Sequence, residues 1–320
     1  MDEHSIGGEP RLSLLHVERE DGRDRRPVLF VHGFTFSSEL ASCYRFDGES
    51  WADALSAAGL DVWALDFAGY GRSDRYPEMA GVPDAALPLG RAPLAAAQIA
   101  RAVDYVCQQS QASRISIIAH SWGTLATARY AASKPERIDR LVFFGPIIRR
   151  ETQPEIPSFP AYRDVTLNSQ YSRFVQDVPD GQPPVLENFD RWAARYLSSD
   201  AMASTREPPA VRTPSGPAVD IASAWAGYFP YDPAAIRAPV LIVRGEWDSL
   251  CTDSDATWLA ERLSAAADVS DVVIERATHL MHLELRRHAL HATTAEFLTR
   301  RPKPVENGPS GPIVIEQGRF

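Results

Sequence analysis

Six short apolar runs, at residues 27–31, 61–65, 115–119, 141–144, 239–243 and 272–274, punctuate the chain, with stretches of helical character between most of them. Strands reached one after another through helices pair in parallel, because a parallel neighbour needs a long crossover and a helix supplies it. The alternation therefore predicts an α/β fold: a mostly parallel central sheet flanked by helices on both faces. Helices are expected over residues 50–58 and over 92–109, where Ile99, Val103 and Val106 fall at helical spacing. Others are expected from just after Ser121 to about residue 133, over 256–266, and over 288–300. Residues 11–19 read as a leading antiparallel strand with Leu12, Leu14 and His16 on one face. Gly145-Pro146 stops the strand at 141–144.

Between residues 146 and 237 prolines become frequent, strand-like runs disappear, and aromatic residues gather among short helical patches at 187–197 and 219–228. This predicts a mainly helical cap inserted into a core made of residues 1–145 and 238–300. Residues 301–320 form a Pro/Gly-rich tail apart from Ile313-Val314-Ile315. A chain of 320 residues with 44% hydrophobic side chains can bury a core of that size.

Ser121 follows the run at 115–119 and precedes a helix, where a strained strand-to-helix turn lifts a hydroxyl clear of the backbone. Such a turn needs small residues two before and two after the serine, and Ala119 and Gly123 meet that need. A serine hydroxyl also needs an imidazole to take its proton and a carboxylate to set the imidazole's tautomer. Asp248 and His279 follow the last two runs, in the order Ser, Asp, His. The run at 27–31 leads into His32-Gly33-Phe34-Thr35, whose Phe34 N–H is one candidate donor to an oxyanion; the Trp122 N–H, at a helix start, is the other.

Together with Asp66-Phe67-Ala68-Gly69-Tyr70-Gly71-Arg72-Ser73 and the stretches around Asp248 and His279, these segments make the chain resemble the α/β-hydrolase family, in the family's order and over most of its length. The resemblance implies Ser121, Asp248 and His279 as a catalytic triad, with Phe34 and Trp122 at the oxyanion hole. The Asp66–Ser73 loop and Trp122 also look similar to epoxide hydrolases and haloalkane dehalogenases, whose attacking residue is an aspartate. Here it is Ser121. An alkyl ester on a carboxylate can be hydrolysed at its carbonyl, whereas an ether on serine cannot, so the serine favours acyl transfer. The expected activity is carboxylic ester hydrolysis through an acyl-enzyme. Lactone (including macrocyclic lactone), amide or C–C bond hydrolysis by the same triad stays open, as does a non-catalytic ligand receptor on this fold. Proline iminopeptidases share Ser-Trp-Gly, but their oxyanion loop is richer in glycine and proline.

Family members place substrate-binding side chains in the inserted cap. Candidates are Phe159, Tyr162, Tyr171, Phe174, Trp192, Tyr196, Trp225 and Tyr228, which as a set favour a bulky or partly apolar substrate, although the ordinary reading of any one of them is the cap's own small core. His282 is a rival base, but His279 holds the turn position; His282 and Glu284 are expected to hold or cover the loop. Glu246, Asp253 and Asp255 are rival acids, and Asp255 is expected at a helix N-terminus. His32 and His120 are expected to brace and pack, and Asp66 and Ser73 to tie down the glycine-rich loop.

A formal charge of −9 argues against nucleic acid or an anionic membrane as partner, and the basic cluster at 23–26 reads as a solvated turn. Gly69 and Gly71 lack the third glycine of a dinucleotide fingerprint, so no cofactor is expected. Cys43, Cys107 and Cys251 show no metal-ligand spacing and read as buried or free thiols. Without a secretory signal or a membrane-span-length apolar stretch, the expectation is a cytoplasmic enzyme acting on a small-molecule ester or lactone.

Overall fold

The computed structural model describes residues 1–17, 26–152 and 155–300. In chain order its strands and α-helices are β1 (Asp2–Ile6), β2 (Leu12–Val17), β3 (Pro27–Val31), α1 (Trp51–Ala57), β4 (Asp61–Asp66), α2 (Ala92–Ser110), β5 (Ile115–His120), α3 (Gly123–Ser133) and β6 (Ile138–Phe144). They continue as β7 (Tyr162–Thr166), α4 (Leu167–Val175), α5 (Phe189–Ser198), β8 (Ala210–Pro214), α6 (Gly216–Trp225), β9 (Val240–Gly245), α7 (Asp253–Arg262), β10 (Val269–Ile274) and α8 (Arg287–Thr299). Eight strands form one sheet in the order β1-β2-β4-β3-β5-β6-β9-β10. The pairings from β4 to β10 are parallel, and β2 alone is reversed, antiparallel to both of its neighbours, β1 and β4.

Successive side chains of a strand point to opposite faces, so each buried strand feeds two cores. Leu29, Val31, Ile117, Ala119, Leu141 and Phe143 face α2 and α3. Val28, Phe30, Ile118, Val142 and Phe144 face α1 and α8. Phe30, Phe143 and Phe144 are fully buried, and truncating any of them to alanine costs about 3–5 kcal/mol. Local signals set the helix ends. Ser50 and Asp53 form a capping box at the start of α1, and Thr252 and Asp255 form another that starts α7 three residues earlier than apolar spacing predicts.

Three departures from the sequence reading have physical causes. β1 lies in a stretch whose polar, largely exposed side chains carry no strand pattern; it is held by pairing with β2. Between β6 and β9, which are neighbours in the sheet, the chain also forms a two-stranded antiparallel ribbon, β7 with β8, and a further helix, α4. The ribbon's sequences are studded with Arg163, Asp164 and Arg212, charges that mask the strand signal; Asp164 and Arg212 pair across it, with Arg212 Nε 2.8 Å from Asp164 Oδ1. Arg26 is not a free surface charge: its guanidinium donates to the carbonyls of Leu298 and Thr299 at 2.7 and 3.3 Å, at the negative end of α8. The rest of that basic cluster, the end of the expected first strand and the 301–320 tail lie outside the described residues.

Among the described residues no helix is long and apolar enough to cross a membrane, and no group of three or more His, Cys, Asp and Glu side chains is disposed to hold a metal ion. The three cysteines are free and buried.

Candidate active site

The site lies where β3, β5, β9 and β10 end. Ser121, directly after β5, has a φ of 55°, a left-handed conformation unusual for a residue with a side chain. The turn is held by the Ser121 N–H on the Phe144 carbonyl at 2.9 Å and by the Thr124 hydroxyl on the Ser121 carbonyl at 2.6 Å. Glycines make room for it. A Cβ on Gly33 would stand 3.0 Å from the Ser121 Cβ, and one on Gly123 would stand 2.4 Å from the His32 carbonyl oxygen.

Three distant stretches of chain meet here. His279 Nε2 lies 2.8 Å from Ser121 Oγ, and His279 Nδ1 lies 3.0 and 2.9 Å from the two carboxylate oxygens of Asp248. All three residues are nearly inaccessible to solvent. Asp248 is itself positioned by the N–H groups of Leu250 and Cys251, which donate to Oδ1 at 2.9 and 3.0 Å. Gly145, with φ of 50°, backs the pair: a Cβ there would lie 2.9 Å from both Asp248 Oδ2 and His279 Nδ1.

The rival acids are engaged elsewhere. Asp253 pairs with Arg244, Glu246 accepts the Arg276 N–H, and Asp255 caps α7 and pairs with Arg150. The rival base His282 is buried beside His120, with ring centroids 4.7 Å apart, and neither of its ring nitrogens has a hydrogen-bond partner among the described residues. Burial holds His282 neutral, well below the usual histidine range.

The surrounding histidines have defined tautomers. Burial lowers His32 to about 4, so it is neutral; Nδ1–H donates to the Gly33 carbonyl at 2.7 Å and Nε2 accepts the Phe67 N–H at 3.1 Å. His120, also kept neutral by burial, donates from Nε2 to the His279 carbonyl at 3.0 Å and stacks on Phe144. Asp66 accepts from the N–H groups of Ser38 and Arg72, and the Ser73 hydroxyl donates to the Asp66 carbonyl, so both tie down the glycine-rich loop. Burial raises Asp66 to about 6. Neither the Phe34 N–H nor the Trp122 N–H has an acceptor among the described residues, and both flank the Ser121 turn.

One residue of the site carries no sequence signal. Asp220 of α6 is buried and accepts from the Trp122 indole at 3.0 Å, the Ala92 N–H at 2.6 Å and Arg91 Nε at 2.5 Å. An isolated aspartate in a helix gives no hint of partners 98 and 128 residues away. Glu284, expected only to hold or cover the loop, is fully buried; it accepts the Thr278 N–H at 3.1 Å and the Thr278 hydroxyl, and burial raises it to about 7.

The stretch between β6 and β9 touches every loop of the site. Arg163 stacks on Phe34, Gln170 accepts from Thr35, Asp220 holds Trp122, Asp177 accepts from Ser249, and the Val185 carbonyl accepts the Leu285 N–H. Its aromatic candidates divide. Phe174, Trp192 and Tyr196 are buried against one another, Trp192 stacked on Tyr196 and meeting Phe174 and Phe36 edge-on, with its indole N–H on the Leu40 carbonyl, so their rings serve that packing. Tyr162 is buried, its hydroxyl on the Gly81 carbonyl. Phe159 is half-buried, and Trp225 is half-buried under Arg150. Tyr171 and Tyr228 are exposed.

A family model described as alpha/beta hydrolase fold matches residues 26–284. Two curated relatives, both haloalkane dehalogenases, share local similarity. The one from Psychrobacter cryohalolentis is 29% identical over 127 residues, 40% of this chain and 36% of the relative. The one from Mycolicibacterium paratuberculosis is 28% identical over 154 residues, 46% of this chain and 44% of the relative. The match thus spans less than half the length of either. Among solved structures, the 2-hydroxy-6-oxo-6-phenylhexa-2,4-dienoate hydrolase of a Rhodococcus species superposes with a TM-score of 0.62 at 17% identity, covering 92% of this chain and 97% of that one.

Proposed function

Because the chain belongs to the α/β-hydrolase fold family, we propose that it is a serine hydrolase that cleaves carboxylic esters through an acyl-enzyme. The observation that carries this reading is the imidazole of His279, with Ser121 Oγ 2.8 Å from one nitrogen and the Asp248 carboxylate on the other. In the reaction Ser121 Oγ attacks the ester carbonyl as His279 Nε2 takes its proton, and Asp248 steadies the imidazolium. The free N–H groups of Phe34 and Trp122 hold the oxyanion, with the N-terminus of α3 adding positive potential. On collapse the alcohol leaves with the proton from Nε2, and water repeats the sequence on the acyl-enzyme. The segment between β6 and β9 acts as the cap.

Cleavage of a carbon–halogen bond, the activity in the names of the two curated relatives, is disfavoured by chemistry. Displacement of halide by Ser121 would leave an alkyl ether, which has no carbonyl for water to attack. The test is labelling with a fluorophosphonate, followed by hydrolysis of short, long, aromatic and cyclic esters. Wild type is expected to label once per chain and turn over at least one ester class, and Ser121→Ala to fold and do neither. Full esterase activity in Ser121→Ala would overturn the assignment.

A further inference from the structure

Two guanidinium groups beside the site make no ion pair among the described residues. Arg163, on β7, lies with its Cζ 4.3 Å from the centroid of the Phe34 ring. Arg173, on α4, is one helical turn beyond Gln170, the residue that accepts the Thr35 hydroxyl at 3.4 Å. Both side chains are half-buried, their Nε atoms are buried without a partner, and neither makes an ion pair or a side-chain hydrogen bond among the described residues. Their neighbours show what an arginine here ordinarily does. Arg206 pairs with Asp200 at 2.8 Å, Arg212 pairs with Asp164 at 2.8 Å, and Arg75 donates to the carbonyls of Gly69, Arg212 and Ser199.

The two unpaired charges feel each other and the site. Burial, and then the charge of Arg163, lowers Arg173 to about 10, while Asp177, engaged with the Ser249 hydroxyl at 2.7 Å, offsets this only from a distance. The charge on Arg173 reaches His120, the residue before Ser121. Holding two partly buried cations without an ion-pair partner costs stability, and an anionic ligand would supply the missing partner. Guanidinium matches the two oxygens of a carboxylate, and the Phe34 ring below Arg163 holds one fork over the loop that carries the oxyanion donor.

Resting on the hydrolase reading above, we infer that Arg163 and Arg173 form an anion subsite, and that the substrate is an ester bearing a carboxylate on its acyl or its alcohol half. The site is thereby selective for charge, and the aromatic residues of the cap serve mainly as its scaffold.

Two matched pairs of esters test this. Mono-p-nitrophenyl glutarate against p-nitrophenyl valerate places the charge on the acyl half, and 4-(butyryloxy)benzoate against phenyl butyrate places it on the alcohol half. Wild type is expected to favour the anionic member of one pair in kcat/KM by about tenfold or more, as a charge-assisted hydrogen bond supplies, with the preference falling as salt rises. Arg163→Gln and Arg173→Gln are each expected to erase most of that preference through KM, and Arg163→Lys to restore part of it. In the catalytically silent Ser121→Ala protein, calorimetry is expected to show mono-p-nitrophenyl glutarate or 4-(butyryloxy)benzoate binding at least tenfold tighter than its neutral partner, a readout that needs no arginine variant to fold. A wild type that labels with fluorophosphonate and hydrolyses the neutral esters, yet prefers neither anionic ester, overturns the subsite and leaves the hydrolase reading standing. Absence of labelling, with tight binding of an anionic ester by Ser121→Ala, overturns the hydrolase reading and leaves the subsite.

Discussion

The indole N–H of Trp122 donates to Asp220 Oδ2 at 3.0 Å, so the residue after the serine is fastened to helix α6 of the segment above it. The same carboxylate receives the N–H of Ala92 and the guanidinium of Arg91. Removing it strands two buried N–H donors, at about 1–3 kcal/mol each.

Asp220→Ala is therefore expected to lower the unfolding free energy by at least about 2 kcal/mol, whereas Asp220→Asn, which keeps one acceptor oxygen, loses less. Urea denaturation of the two variants checks this. Equal loss in both would mean that the hydrogen bonds to Asp220 contribute little.

Asp248→Asn is expected to fold and to lower kcat by roughly 10⁴. The N–H groups of Leu250 and Cys251 both donate to Oδ1, so an asparagine keeps its oxygen there and turns its amide N–H toward His279 Nδ1. That fixes the proton on Nε2, where it cannot accept the serine's. A rate change under about tenfold on the best ester would point to another acid.

Gly145→Ala probes the backing of the same pair. Its φ of 50° suits glycine, and a methyl would press 2.9 Å from Asp248 Oδ2 and His279 Nδ1. The expected cost in folding is about 1–2 kcal/mol from the left-handed backbone. The expected loss in ester turnover is about 10²-fold, from an imidazole displaced by a fraction of an ångström or more. Wild-type turnover in the folded variant would show that the pair tolerates displacement.

Glu284 sets a pH dependence. Its carboxyl titrates at about 7 in the folded protein against an ordinary 4.5, because burial opposes its charge. Between those values the folded protein holds a proton that the unfolded chain releases. The stability tied to that proton is fully present below pH 4.5 and is lost as pH rises through 7, on the order of 3 kcal/mol. Glu284→Gln cannot ionise, so its stability relative to wild type should rise across that window. Unfolding of both proteins at pH 5 and 7.5 measures the difference, in which the buried neutral histidines common to both cancel. A constant difference would place the titration elsewhere.

The central sheet was readable because its signals are local. Residues 27–31, 61–65 and 115–119 are almost wholly apolar, and Ser50 with Asp53 writes a helix start within four residues; Thr252 with Asp255 writes another, three residues before the start that apolar spacing gives. The ribbon of β7 and β8 was not readable, since each strand carries charges whose partners lie on the other. Likewise the aromatic residues at 174, 192 and 196 announce burial but not which surface they bury against.

The sequence by itself determined the alternation of strands and helices, the tight turn at Ser121, and the loops at the strand ends where Asp248 and His279 stand, because backbone geometry and hydrophobic periodicity act over neighbouring residues. Only the tertiary structure decided that Asp220 holds Trp122, that Gly145 backs the imidazole, and that Arg163 packs on Phe34 and, like Arg173, makes no ion pair among the described residues. Those relations join positions tens to more than a hundred residues apart, and hydrogen bonding, steric fit and charge pairing depend on distances that exist only once the chain has closed on itself.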